Sequence, residues 1–456
     1  MKRFTLALLA VVTLAAAPTW EKIAETRALG WIRAFNAGDE ELLRFVREHM
    51  TPEAFARLPA EERAKTNAQL RASHGQLEVS DVLADGSGIT LKVLDSRRER
   101  LTFSFSFEAS EPYRISRLMI SMGGHDEEGE ALPIPKGVPR LASLTREEMA
   151  KWIDGYVSDL AKRDLFSGTV LVGKADEVLF EKAYGLASRR DNAPNRPSTR
   201  FNVGSITKQF TKTAIGQLAA EGKLALTDTI AKHLPDYPNR DVASKITIDQ
   251  LLTHTSGLGD IFTDEWEKTP RQKVRTIAEQ IALYADDPLQ FEPGKGKRYS
   301  NYGYVVLGAI VEAASGMSYE EYIQKRVFDP ARMTASGLFE WDKPVADLAM
   351  GYSKREGNVA ENRGQLPPRP SPAGGSQSTA RDLFKFDRAL RGGKLLDAKW
   401  TKWFLGGGGE IIYAGGAPGV NAIVASDGTW TVVVVSNLDP PAASHVVEKV
   451  IYRGLK

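Results

Sequence analysis

At 456 residues the chain is too long for one ordinary core, and two domains are expected. Apolar residues make up 42% and charged residues 26%, which marks a globular protein and excludes disordered and fibrous classes. The formal net charge of +2 falls to zero once Lys2 and Arg3 are discounted, so no nucleic acid partner is expected. Cysteine is absent, which excludes disulfides, thiolate metal sites and a lipid anchor on cysteine. The six histidines (49, 74, 125, 233, 254 and 445) form no His-Glu-x-x-His or other close pair. Neither a metal nor a cofactor is expected.

In chain order, Met1-Lys2-Arg3 precede an almost wholly apolar run, Phe4 to Ala17, too short to span a membrane comfortably. This reads as a signal peptide over residues 1–17, placing the protein in the bacterial periplasm or outside the cell, with no stable membrane span after its removal. Residues 19–122 form a first domain. A helical stretch from Ile23 to Met50 is interrupted at Asn36-Ala37-Gly38-Asp39, and a shorter helix covers Pro59 to Leu70. Alternating runs follow at Leu77–Leu83, Ile89–Leu94, Leu101–Phe107 and Tyr113–Met122, with a turn at Asp85-Gly86-Ser87-Gly88. Helices followed by an antiparallel meander indicate an α+β fold. The glycine-, proline- and acid-rich segment 123–140 is a linker by composition.

The second domain, 141–456, opens with a helix from Thr145 to Asp164, capped by Thr145 or Ser143, and a strand pair, Phe166–Gly173 and Val178–Tyr184. A long helical region follows. Strands return only at Glu410–Tyr413, Asn421–Ser426 and Thr429–Ser436, before a last amphipathic helix, Ala443 to Tyr452. One sheet built from both ends of the domain is expected, with a second, α-helical lobe between them and a ligand cleft between the lobes.

Ser205 and Lys208 stand three residues apart at the head of an apolar helical pattern that includes Phe210, Ile215 and Leu218 and stops near Gly222. On a helix such side chains are neighbours, so the amine can reach the hydroxyl. A serine becomes a good nucleophile only when a base takes its proton, and burial lowers a lysine's pKa towards that role. Unpaired N–H groups in the first turn favour developing negative charge.

The segment Phe201-Asn202-Val203-Gly204-Ser205-Ile206-Thr207-Lys208 is followed by Leu251-Leu252-Thr253-His254-Thr255-Ser256-Gly257-Leu258, Phe291-Glu292-Pro293-Gly294, Tyr299-Ser300-Asn301-Tyr302-Gly303-Tyr304, Val327-Phe328-Asp329-Pro330 and Gly374-Gly375-Ser376-Gln377-Ser378-Thr379. Together, over about 290 residues, these resemble the class C β-lactamase and penicillin-binding-protein family of serine hydrolases. The resemblance implies a two-lobed α/β domain, an antiparallel sheet flanked by helices beside an all-α lobe. It also implies acylation of Ser205, Lys208 as base, Tyr299 assisting the proton transfer, and Asn301 binding substrate and holding the lysine. For Tyr299 to shuttle a proton, nearby Lys208 is expected to lower its pKa from about 10. His254 is expected to serve a structural turn, since no Gly-x-Ser-x-Gly elbow exists for a histidine triad.

The family's Lys-Thr-Gly or His-x-Gly strand motif aligns with Tyr413-Ala414-Gly415, so a tyrosine stands where a cation is usual. The oxyanion would then meet the backbone N–H groups of Ser205 and Gly416. Tyr413, with no charge to offer, implies esters or other neutral acyl donors in place of carboxylate-bearing substrates. The expected partner is a small-molecule or peptide acyl substrate, with a true β-lactamase or D-Ala-D-Ala carboxypeptidase as the alternative. A non-catalytic binding or scaffold protein that keeps the fold is the reading from another class. Trp31-Ile32-Arg33-Ala34-Phe35-Asn36-Ala37-Gly38-Asp39 resembles the opening of nuclear-transport-factor-like cone domains, and implies that the first domain serves self-association or partner binding.

Overall fold

The computed structural model describes residues 20–455 apart from 57–59, 85–87, 97, 99, 109, 123–131, 134, 136, 263–273, 342, 356–357 and 407. The signal peptide read at 1–17, most of the turn at 85–88 and most of the linker lie outside the described residues. The chain divides into two compact units, Met1–Asn67 with Gln76–Ser121, and Ala68–Gly75 with Met122–Lys456. No described helix is long and apolar enough to cross a membrane.

In the first unit, helices α1 (Trp20–Ala37) and α2 (Asp39–His49) break at Gly38, whose positive φ admits the sharp turn. Strands β1 (Glu78–Ala84), β2 (Gly88–Leu94), β3 (Arg100–Phe107) and β4 (Ile115–Met122) form a four-stranded sheet in chain order. The alternation in β3 buries Leu101, Phe103, Phe105 and Phe107 on one face. Trp31 of α1 packs on that face, 5.4 Å from Phe103 and 6.3 Å from Phe105 between ring centroids.

The second unit begins with α3 (Arg146–Lys162), which carries a capping box between Thr145 and Glu148. Strands β5 (Gly168–Lys174) and β6 (Glu177–Tyr184) then join β7 (Ile411–Ala417), β8 (Val420–Ser426) and β9 (Trp430–Ser436) in one antiparallel sheet ordered β7-β8-β9-β5-β6. Pairing of β9 with β5, Val433 opposite Leu171, closes the sheet from both ends of the domain as expected. Every residue of β8 and β9 is buried because both sheet faces are covered. Val170, Val172, Ile423, Val432 and Val434 enter a cluster with Ile153 and Val157 of α3 and with Val446, Val447 and Ile451 of the C-terminal helical run. The alternate residues Leu171, Val424, Val433 and Val435 face the helical side. They share one apolar cluster with residues of α4 (Thr207–Ala220), α5 (Ile277–Tyr284), α6 (Asn301–Ser315), α7 (Ala380–Arg391) and α8 (Ala398–Leu405), of which α7 packs on the sheet strands.

This arrangement sets the head of α4 at the sheet edge. Phe210 lies edge-on between Phe328 and Phe386, with ring centroids 5.0 Å from each, and fixes the helix in the apolar cluster.

Candidate active site

Ser205 occupies a 3₁₀ turn, Gly204–Ile206, that runs directly into α4 and places Lys208 in the first turn of that helix. The turn is held by the motif around Ser376. The Val203 N–H donates to Ser376 O (2.9 Å), Thr207 Oγ1 donates to Gly204 O (2.8 Å), and the Ser376 N–H donates to Thr207 Oγ1 (3.1 Å). Gly204 has φ +52, a backbone state that side chains rarely adopt, and a Cβ there would lie 3.1 Å from Gly416 N. A Cβ on Gly415 would lie 2.0 Å from Val203 O and 2.9 Å from Ser205 N. Strand β7 therefore runs against the serine turn with no room for a side chain between them.

Four of the side chains singled out by sequence converge. The Lys208 Nζ lies 3.1 Å from Ser205 Oγ, and the Tyr299 hydroxyl donates to the same oxygen at 2.7 Å. Lys208 also donates to Asn301 Oδ1 (2.7 Å) and to the carbonyl of Ala373. Ser205 is half-buried, whereas Lys208 is buried. The amine sits 4.7 Å from the ring centroid of Tyr299 and 5.5 Å from that of Tyr304.

Removal from water pulls the Lys208 pKa down to about 7, opposed by the negative charge of Asp260. The geometry suits both protonation states. A neutral amine has two N–H donors, matched by Asn301 Oδ1 and Ala373 O, and a lone pair left for the Ser205 proton. The protonated amine donates its third N–H to Ser205 Oγ.

Tyr299 differs from the sequence expectation. Burial pushes its phenol above the ordinary range despite the lysine, so it rests as a neutral donor. Burial outweighs the opposing hydrogen bond to Ser205, and the negative charge of Asp260 adds to the rise.

His254 takes the structural part expected of it. It has φ +61, its Nδ1 accepts the Ser300 N–H at 3.2 Å, and its ring lies 4.6 Å from that of Tyr299. Burial first, then the charges of Lys208 and Lys297, lower its pKa to about 3, so it stays neutral. The Ser300 hydroxyl caps α6 by accepting the Gly303 N–H, and donates to Gly259 O at 2.6 Å. This fixes Tyr299 before the helix and Asn301 at its first position.

Tyr413 does not join the cluster. Its ring meets Phe404 edge-on at 6.2 Å, and its buried hydroxyl has no hydrogen-bond partner among the described residues. Gly415, two residues on, is the part of the motif that touches the serine turn. Asp260 and the Ala373 carbonyl are not found by sequence reasoning. Asp260 accepts both contacts from Asn301 Nδ2, at 3.0 and 3.1 Å, and the only signal for it is its place just after the His-Thr-Ser-Gly-Leu segment. The cavity of about 350 Å³ lined by Trp341, Leu348, Met350 and Arg363 shares no residue with this cluster. Among the described residues no group of three His, Cys, Asp or Glu side chains could hold a metal.

With this geometry established, residues 142–453 match the family described as Beta-lactamase. The chain belongs to the β-lactamase family. It is a serine hydrolase of that family, and among its relatives is PbpX of Bacillus subtilis (strain 168), named as a penicillin-binding protein. That protein is 32% identical over 342 residues, covering 70% of this chain and 83% of PbpX. A penicillin-binding protein from Bacillus halodurans is similar in structure, with a TM-score of 0.57 and 32% identity over 62% of this chain and 96% of that one. The D-amino acid amidase of Ochrobactrum anthropi SV3 aligns with a TM-score of 0.54 and 25% identity, over 63% of this chain and 91% of the amidase. The β-lactamase-family match thus covers most of the second unit and leaves the first unassigned.

Proposed function

We propose that the protein is an exported serine acyl hydrolase that works through an acyl-enzyme on Ser205. The observation that carries this reading is the approach of one buried amine and one phenol to the same serine oxygen, at 3.1 and 2.7 Å. Neutral Lys208 accepts the Ser205 proton as Oγ attacks the substrate carbonyl. Tyr299, a phenol throughout the working range, donates to Oγ and relays a proton to the leaving group, with the protonated Lys208 as its source. Asn301 holds the lysine through Oδ1 and borders the substrate. The backbone N–H groups of Ser205 and Gly416 receive the oxyanion, where the glycine-lined strand allows a carbonyl to come close.

For substrate class we favour neutral esters and amides over carboxylate-bearing β-lactams. Tyr413 supplies no cation at the strand position where the family usually has one, and its ring packs against Phe404 in the apolar cluster. The similarity to an amidase is in keeping with that preference. Export rests on the basic and apolar first seventeen residues. The first unit is assigned to self-association or partner binding.

Labelling by a fluorophosphonate and, separately, by a fluorescent penicillin tests the reading on wild type and Ser205→Ala. The fluorophosphonate should mark wild type alone and faster than the penicillin does. Equal labelling of Ser205→Ala would refute the assigned nucleophile, and faster penicillin labelling would refute the substrate class.

A further inference from the structure

Asp260 belongs to none of the sequence motifs given a role above, yet it stands directly behind the lysine's anchor. Its oxygens accept the Asn301 side-chain amide at 3.0 and 3.1 Å, with the Asn301 backbone N–H at 3.5 Å. The carboxylate is itself held by the N–H groups of Ile261 (2.6 Å) and Phe262 (3.4 Å). A carboxylate only accepts, so it selects one of the two orientations of the Asn301 amide: NH₂ towards Asp260 and Oδ1 towards Lys208. The flipped amide would set N–H against N–H at the lysine and oxygen against oxygen at the aspartate.

We infer that Asp260 is a positioning residue that orients Asn301 and places the negative charge that tunes the Ser205 base. This rests on Lys208 being that base. Ser205, Asn301, Tyr299, Tyr304 and His254 surround the amine on its other sides, and none carries charge near neutral pH. The phenols of Tyr299 and Tyr304 are pushed up by burial, and His254 is pushed down to about 3. Lys297 acts on His254 from farther out. Asp260 is therefore the group whose charge raises the lysine pKa against the pull of burial.

The test is the pH dependence of kcat/KM for a p-nitrophenyl ester, measured on wild type, Asp260→Asn, Asp260→Glu, Lys208→Met and Ser205→Ala. In wild type the acidic limb falls near 7, where Lys208 gains its proton. In Asp260→Asn the lost charge moves the limb to lower pH, by about one pH unit. The looser amide lowers the plateau by about 10- to 100-fold, in kcat more than in KM. Asp260→Glu keeps the charge, so its limb stays at the wild-type position; if Asp260→Asn does not fold, Asp260→Ser, which also removes the charge, is read in its place for the displaced limb. A limb and plateau in Asp260→Asn equal to wild type within twofold, or a displaced limb in Asp260→Glu, would overturn the role of Asp260. A purely structural role would lower thermal stability and leave the limb in place. Activity retained by Lys208→Met would instead overturn the reading of Lys208 as base, which separates the two failures.

Discussion

Replacing Lys208 by methionine should leave the fold as stable or more stable at neutral pH while removing the proposed base. Holding the buried amine's pKa at about 7, against an ordinary 10.5, costs roughly 5 kcal/mol of folding free energy wherever both states would be protonated. Methionine fills similar volume without a charge. It leaves Asn301 Oδ1 and Ala373 O without the lysine donor, at about 1–3 kcal/mol each. The net expectation at pH 7 lies between a loss of about 1 and a gain of about 3 kcal/mol, with most of that range a gain.

The pH dependence is sharper than the offset. Unfolded lysine keeps its proton to about pH 10.4 and the folded one releases it near 7, so the unfolded chain binds more protons in that window. Wild-type stability therefore rises with pH between those values, by up to about 1.4 kcal/mol per pH unit, relative to the methionine variant. Below pH 7 both states are protonated and the difference is constant. Urea unfolding followed by tryptophan fluorescence at several pH values from about 6 to 9.5 would trace that difference. A constant offset across the range would refute the claim that the native amine is held near 7.

Other consequences follow from the same geometry. Tyr299→Phe removes the donor to Ser205 Oγ and should lower kcat about 10- to 100-fold, with the acidic limb of the pH profile still near 7 because Lys208 stays buried. Steady-state kinetics at several pH values would show it. Tyr413→Phe deletes a buried hydroxyl without a described partner, so thermal unfolding should show stability unchanged or raised by about 1 kcal/mol, with ester turnover within twofold of wild type. Gly415→Ala would push a methyl to 2.0 Å from Val203 O, so fluorophosphonate labelling of Ser205 should be lost.

The sheet is legible from sequence because apolar β-branched runs at both ends of the second domain, such as Val432–Val435 and Val170–Val172, have few places to go except a doubly covered strand. Ser205, Lys208, Tyr299 and Asn301 are legible because each lies in a local motif whose spacing persists in the fold. Asp260 is not, since its role depends on Gly259-Asp260 and Ser300-Asn301 meeting across 41 residues of chain. The Ala373 carbonyl is backbone and carries no residue-type signal. The Tyr299 shift runs against the sequence expectation because proximity to a cation does not reveal the burial shared by both groups. The separation of Tyr413 from the Ser205–Lys208 cluster depends on how β7 packs against Phe404, which no motif encodes.

The most direct measurement is mass spectrometry of the protein quenched within seconds of mixing with an activated ester, followed by digestion to locate the adduct. One acyl group on the peptide bearing Ser205, formed faster as pH rises through 7 and absent in Ser205→Ala, is the expected result. An adduct on another residue, or hydrolysis by Ser205→Ala at the wild-type rate, would contradict it.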